Sequence, residues 1–364
     1  MIPIKIEKRP ESNLKPKPKL RYAEGEKDEL GFGKYFSDHM LLTDYTKDHG
    51  WNNARIVPYD NLPMDPAAMV FHYGQAIFEG MKAYRGKDDH IFLFRPRNNF
   101  ERFNRSAKRL CMPRIDIDFA IRGLKELIKI DRDWIPYGIG RALYIRPTMI
   151  ATEPALGVRP SSTYTFFIIV GPVGAYYPEG FNPVKIYVAD KYVRAVRGGL
   201  GEAKTAANYA HSLFAAEEAK QLGFTQVLWL DAINMKYIEE VGTMNIFFYI
   251  NDEIVTSPLT GSILPGITRD SVIRIARDWG YKVSERLLSI DELINHIEKG
   301  EVKEIFGTGT AAIISPVGEI YYKGKNYTIA DNKVGELSQK LYYYIQDLQY
   351  GNKPDPYEWV EMVI

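Results

Sequence analysis

The chain has 364 residues, enough for two domains at roughly 100–200 residues each. Its 47 Lys and Arg offset 46 Asp and Glu, and a net charge of +1 removes any global electrostatic case for nucleic acid or an anionic membrane as the main partner. A single cysteine, Cys111, excludes an intrachain disulfide framework and a Cys-rich metal site, and it suits a reducing compartment.

Residues 1–18 are charged and proline-rich and read as a loosely ordered arm, without the apolar run of a secretory leader. No stretch has the length and apolarity of a membrane-spanning helix, so the expected location is cytoplasmic. Residues 69–86 mix strand and helix signals, and 91–94 (IFLF) read as a strand. Phe100, Phe103, Ala107 and Leu110 recur at helical spacing and predict a helix over 99–112, stopped by Pro113. A second helix is expected over 118–130, and a strand begins at 143–146. The continuous apolar run 164–170 has the pattern of a buried strand. Residues 171–183 carry three glycines and three prolines and read as a linker.

Beyond the linker, strands are expected at 184–189, 226–230, 245–250, 283–288 and 302–306. Helices are expected at 209–223, 268–279, 291–299 and 334–350. Strands and helices on both sides of a linker imply an α/β (α+β) chain of two domains. These are a small N-terminal domain over 1–172, a linker at 173–184 and a larger C-terminal domain over 185–364.

Four motifs carry chemistry. Residues 198–205 (GGLGEAKT) admit three readings: a solvated turn, a phosphate loop, or a lysine held for its amine chemistry. The phosphate loop is imperfect, because Ala203 stands where the template needs glycine. Residues 307–312 (GTGTAA) match G-x-G-x-x-A. The following 311–316 (AAIISP) read as a short strand ended by proline, which does not supply the helix that a dinucleotide site needs. A turn that presents Thr308 and Thr310 to an anion fits equally. Residues 264–268 (LPGIT) open an amphipathic helix with Thr268 as the expected N-cap, and the glycine leaves amides for a phosphate. In 239–245 (EEVGTMN) two carboxylates adjoin an apolar strand, and a buried glutamate is costly unless paired. The histidines lack zinc-ligand spacing and no G-x-S-x-G occurs, so neither a metal site nor the usual hydrolase elbow is expected.

In order along the chain come FGKYFSDHM (32–40), FEGMKA (78–83), RSAKRL (105–110), LYIRP (143–147) and GAYYP (174–178). GLGEAK (199–204), ANY (207–209), EVGTMN (240–245), LPGITR (264–269) and GTGTA (307–311) follow. Together they resemble the branched-chain-amino-acid aminotransferases, the fold-type IV group of pyridoxal-phosphate enzymes. The long form with the FGK arm looks like the subgroup that includes the animal enzymes. The resemblance implies a two-domain fold-type IV aminotransferase with pyridoxal 5′-phosphate as cofactor. It makes Lys204 the catalytic Schiff-base lysine. Glu240 then pairs with the pyridine nitrogen, and Tyr209 with the ring phenolate oxygen. Arg102, the amides of Gly266, Ile267 and Thr268, and the hydroxyl of Thr310 take the phosphate.

For the substrate, the resemblance implies Tyr144 and the amides around Thr310 and Ala311 on the α-carboxylate. Phe32, Tyr73, Phe78, Tyr144, Tyr176 and Thr243 line the side-chain pocket, and Arg146 meets the distal carboxylate of glutamate. The implied reaction moves the amino group of leucine, isoleucine or valine to 2-oxoglutarate, reversibly, in a homodimer whose partners are small amino and 2-oxo acids. Some animal members carry a C-x-x-C pair after the glycine–threonine turn; here those places are Ala312 and Ser315, so thiol redox control of that kind is chemically excluded. Cys111 reads as an inert packing group at a helix end. The nearest alternatives on this fold are a D-amino-acid aminotransferase or an aminodeoxychorismate lyase, which the long arm and EVGTMN disfavour. A nucleotide-binding module on the loop at Gly198 is the alternative from another class.

Overall fold

A computed structural model describes residues 2–23, 26, 29–174 and 181–364. The chain forms two units. The first is Met1–Pro178 with Ala203–Ala206 and Gln346–Ile364, and the second is Glu179–Glu202 with Ala207–Ile345.

The first unit holds β1 (Lys5–Ile6), β2 (His39–Thr46), β3 (Gly50–Pro58), β4 (Ala76–Phe78), β5 (Met81–Arg85), β6 (Ile91–Phe94), β7 (Ala142–Ala151) and β8 (Thr163–Val173). Their order is β1-β3-β2-β8-β7-β5-β6, with Val360–Met362 added at the far edge and β4 on β7. Helix α1 (Met69–Tyr73) is short, so residues 69–86 are indeed a helix followed by strands. Helices α2 (Pro96–Arg109) and α3 (Ile117–Ile130) bury Phe100, Phe103, Ala107, Leu124 and Leu127 among Leu41, Ile145, Phe166 and Ile168 of the sheet. Asp116 caps α3 by accepting from the Phe119 amide at 2.6 Å.

The arm is docked rather than loose. Strand β1 runs parallel to β3 through Lys5–Arg55 and Ile6–Ile56. The Arg9 amide donates to His39 Nε2 at 2.8 Å, and the Lys15 amide to Asp38 Oδ1 at 2.8 Å. Lys15 Nζ lies 3.6 Å from the centre of the Tyr59 ring. The charges that made the arm look disordered have partners waiting in the fold, which composition does not show.

The expected linker also differs in part. Strand β8 continues through Gly171 and Pro172 to Val173, and a Cβ on Gly171 would meet Tyr35 O at 1.9 Å. Residues 175–180 lie outside the described residues. An unbroken second domain over 185–364 differs from the observed division, because the chain returns to the first unit at 203–206 and 346–364. The returning end pairs Val360 with Phe94 and Met362 with Phe92.

Helix α2 ends in a pair of bonds, Met112 N to Ala107 O at 2.8 Å and Cys111 N to Lys108 O at 3.3 Å. Cys111 takes the left-handed position at φ 56°, and its thiol is exposed rather than packed. A side chain at that φ costs about 1–2 kcal/mol, while glycine costs about 0.4–1 kcal/mol through the unfolded chain. Cys111→Gly is therefore expected to stabilise the protein by about 0.5–1 kcal/mol. A urea midpoint that falls or stays constant would contradict this.

The second unit holds β9 (Val184–Val188), β10 (Gln226–Leu230), β11 (Ile238–Val241), β12 (Met244–Ile250), β13 (Glu253–Thr256), β14 (Lys282–Glu285), β15 (Val302–Gly309), β16 (Ile313–Tyr322) and β17 (Lys325–Thr328). Strands β11-β10-β9-β16-β15-β12 pair in that order, and β11 also pairs with β12, so the ladder closes on itself and those six strands expose no open edge to one another. Pro316 does not end its strand: β16 pairs with β15 up to Pro316 and with β9 from Val317, so the proline marks a change of neighbour.

The remaining helices are α4 (Ala206–His211), α5 (Leu213–Gln221), α6 (Ile267–Asp278), α7 (Ile290–Glu298) and α8 (Glu336–Gln349). The single helix expected over 209–223 is broken at Ser212, whose hydroxyl donates to Tyr209 O at 2.8 Å and competes with the helical ladder.

Candidate active site

Lys204 sits on a short stretch laid against β4. Its amide donates to Ser106 Oγ at 2.8 Å, and its carbonyl accepts from Phe78 N at 3.0 Å. The next residue, Thr205, is fully buried and donates its hydroxyl to Ala76 O at 2.7 Å. Backbone on both sides of the lysine is thus pinned, while Nζ stands 5.0 Å from the centre of the Phe78 ring. The glycines before it serve packing: a Cβ on Gly201 would meet Ser262 O at 2.1 Å. That contact separates this loop from a phosphate loop, whose glycines are needed to approach a ligand.

Around Phe78 the first unit gathers other expected residues. Phe32 packs edge-on against Tyr144 with ring centres 4.7 Å apart. Arg146 lies with its guanidinium 4.7 Å from the Phe78 ring centre, and it donates to the Tyr144 hydroxyl at 3.0 Å. Arg146 Nε is buried with no hydrogen-bond partner. Tyr144 and Arg146 are two apart on β7 and so share a face. Arg102 is held by Glu79 through Nε to Oε1 at 2.7 Å and Nη2 to Oε2 at 2.9 Å, with both side chains buried. Tyr73 stands exposed at the end of α1, its hydroxyl donating to Leu156 O. Tyr176 lies outside the described residues.

Breaking the Arg102–Glu79 pair takes the carboxylate partner from a buried guanidinium. Glu79→Ala is expected to cost about 3–5 kcal/mol of stability, read as a drop in the urea midpoint. A change below about 1 kcal/mol would mean that the guanidinium is compensated elsewhere.

In the second unit the two adjacent glutamates separate into different environments. Glu240 is 3% exposed, ion-paired with Arg194, and accepts from Asn245 Nδ2 at 3.0 Å. Glu239, its neighbour, accepts from the Ser262 hydroxyl, and burial pushes its carboxyl up from the usual range. Arg194 also donates to Gly201 O at 3.2 Å and Ser262 O at 2.5 Å, which joins Glu240 to the glycine loop. Gly242 and Thr243 make the two-residue turn between β11 and β12, with Gly242 at φ 54° and Thr243 exposed. Tyr209 is half-buried on α4.

Gly266, not Thr268, is the N-cap of α6, and as a glycine it contributes no side-chain cap. A Cβ on residue 266 would meet Asn245 Oδ1 at 2.0 Å, so the helix begins where only glycine fits. Ile267 and Thr268 fall in the first turn, where amides face outward along the positive end of the helix. Residues 307–312 form the end of β15 and the turn into β16, and no helix opens there among the described residues. The dinucleotide reading fails on that ground. Thr310 and Ala311 are half-buried in this turn, and Thr308 is buried just before it.

Arg194, Asn245 and Glu79 are functional candidates that sequence reasoning missed. EVGTMN and FEGMKA contain the last two, but their roles depend on partners across strands. Lys82, also within FEGMKA, is buried, and desolvation lowers its amine to about 8. It lies opposite Tyr144 in the β5–β7 ladder. Among the described residues no group of three His, Cys, Asp or Glu could hold a metal ion, and no helix is long and apolar enough to cross a membrane.

Residues 76–320 match the family described as amino-transferase class IV. The chain is 54% identical over 352 residues to branched-chain-amino-acid aminotransferase 2 of Bacillus subtilis (strain 168), covering 97% of this chain and 95% of that one. Its fold matches the Escherichia coli branched-chain amino acid aminotransferase with a TM-score of 0.77 at 27% identity, over 90% of this chain and 99% of the other. It also matches the T.th. branched-chain amino acid aminotransferase, solved in complex with N-(5′-phosphopyridoxyl)-L-glutamate, with a TM-score of 0.72 at 27% identity, over 89% and 98% of the two chains. These likenesses put the chain in the class IV amino-transferase family, within its fold-type IV branched-chain-amino-acid aminotransferases.

Proposed function

We propose that the protein moves the amino group of leucine, isoleucine or valine to 2-oxoglutarate, reversibly, with pyridoxal 5′-phosphate as its cofactor and as a homodimer. One observation carries the reading. Glu240 is a carboxylate buried at 3% exposure between a guanidinium and an amide donor, the partner that a protonated heterocyclic nitrogen requires. The start of α6 fits the other end of the same cofactor, because its N-cap is a glycine, which brings no side chain of its own, and its first-turn amides lie at the positive end of the helix. Support for the substrate comes from the names of the relatives, and support for glutamate as a ligand from the phosphopyridoxyl-glutamate complex of the T.th. enzyme.

When bound, the cofactor supplies an electron sink for the substrate Cα. Lys204 Nζ would hold it and, once displaced, carry the proton to and from Cα, a task that needs a primary amine neutral in part of the cycle. Glu240 would keep the ring nitrogen protonated, with Arg194 and Asn245 holding the carboxylate in place. Tyr209 would donate to the ring oxygen. Arg102, oriented by Glu79, would bind the phosphate with the Gly266, Ile267 and Thr268 amides and the Thr310 hydroxyl. Tyr144 and the amides at Thr310 and Ala311 would take the α-carboxylate. Phe32, Tyr73, Phe78, Tyr176 and Thr243 would surround the branched side chain, and Arg146 would meet a distal carboxylate. The purified protein is expected to form glutamate from 2-oxoglutarate with each of the three donors; no glutamate with any of them rejects the reading.

A further inference from the structure

Asn245 lies near the start of β12 and is 4% exposed. Strand register places it opposite Glu240 on β11 and opposite Thr308 on β15, so the three side chains form a row on one face of the sheet. The amide nitrogen donates to two acceptors. One is Glu240 Oε1 at 3.0 Å and the other Leu264 O at 2.9 Å. Its oxygen fills the space where a Cβ on Gly266 would stand. One side chain therefore touches the carboxylate assigned to the cofactor ring, the carbonyl two residues before the α6 N-cap, and the N-cap itself.

This arrangement has a physical consequence. The bonds to Glu240 Oε1 and to Leu264 O share one amide nitrogen, so together they fix the orientation of the Asn245 amide, and the bond to the carboxylate is the charge-assisted one. That orientation in turn holds Leu264 O and sets the Asn245 oxygen against the N-cap. A neutral residue at 240 loosens the amide, and a loosened amide no longer braces the first turn of α6.

We infer that Asn245 is a positioning residue that couples the Glu240 carboxylate to phosphate binding at the start of α6, so that the ring end and the phosphate end of the cofactor site respond as one. The inference rests on the cofactor reading above. Coupling between two ends of a site is reciprocal, so it is measurable from the phosphate end alone.

The test uses the full chain stripped of cofactor, with inorganic phosphate as the probe and the rise in melting temperature as the readout. Glu240→Gln and Asn245→Ala are each expected to weaken phosphate roughly 5- to 10-fold, within the span of ordinary coupling energies. The double variant is expected to lose no more than either single one, because both act through the same bond. Additive losses in the double variant, as two independent structural effects would give, overturn the coupling. So does an unchanged phosphate affinity in Glu240→Gln, or a wild-type chain with no saturable response to phosphate. Asn245→Asp keeps the shape and removes both donors, and it takes the place of the alanine variant if that one does not fold. Reconstitution of the wild type with pyridoxal 5′-phosphate, read by its visible absorbance, separates the two ideas. Failure to take up the cofactor rejects the cofactor reading, whereas uptake with additive phosphate losses rejects only the coupling.

Discussion

Lys204→Ala is expected to lower kcat by about 10⁴-fold, the upper part of what one positioned proton-transfer group contributes, and to leave a folded chain. The fold is spared because the lysine is held by its backbone. Its amide is on Ser106 Oγ, its carbonyl on the Phe78 amide, and Thr205 is anchored to Ala76 O. None of these bonds involves Nζ. Lys204→Arg should fail almost as badly, since a guanidinium stays protonated and cannot shuttle a proton near neutral pH. Steady-state rates, far-ultraviolet circular dichroism and the visible cofactor band check the three parts. A variant with more than about a tenth of wild-type kcat would show that another amine does the work.

Arg146→Met should divide the two substrates of the proposed reaction. Leucine and glutamate share an α-carboxylate and an amine and differ at the far end. Phe32 packs edge-on against Tyr144, and the Arg146 guanidinium lies over both the Tyr144 and the Phe78 ring; a pocket walled by these rings would strand a distal carboxylate without a partner. Arg146 would supply one: its guanidinium is laid over Phe78 and steadied by the Tyr144 hydroxyl, and its Nε is buried without a hydrogen-bond partner. A cation so placed adds little to the burial of leucine methyls. Loss of about 2–4 kcal/mol in kcat/KM is expected for glutamate, in the range for a severed buried charge pair. Loss below about 1 kcal/mol is expected for leucine, as for an apolar swap of similar volume. Stopped-flow measurement of each half-reaction decides the matter, and equal losses would reduce Arg146 to a brace of the sheet.

Much of the architecture was legible in local pattern. Helical spacing of Phe100, Phe103 and Ala107 marked α2, and the apolar run of 164–170 marked the core of β8. Strand β10 was visible to the residue. Such elements are set by side chains close in sequence, and their burial follows from the period. Strands β2 and β3 are not legible in the local pattern, because Asp44, Asn52, Asn53 and Arg55 break their alternation. In the fold Asp44 accepts from Asn53 and Arg55 across the hairpin, so the polar residues are paired rather than wrongly placed.

The sequence by itself determined the family, since its contiguous motifs follow one another in an informative order, and it nominated the lysine and the two ends of the proposed cofactor site. It could not say which of Glu239 and Glu240 is the paired carboxylate on physical grounds, nor that the N-cap of α6 is Gly266. Those were decided by tertiary structure. Strand alternation sends Glu240 toward Arg194 and Asn245, and sends Glu239 toward Ser262, while Asn245 occupies the space a side chain at 266 would need. The docked arm, the Arg102–Glu79 pair and the return of the C-terminus to the first sheet share that origin. A buried polar group becomes favourable only when its partner is delivered from elsewhere in the chain, and local sequence holds no record of that delivery.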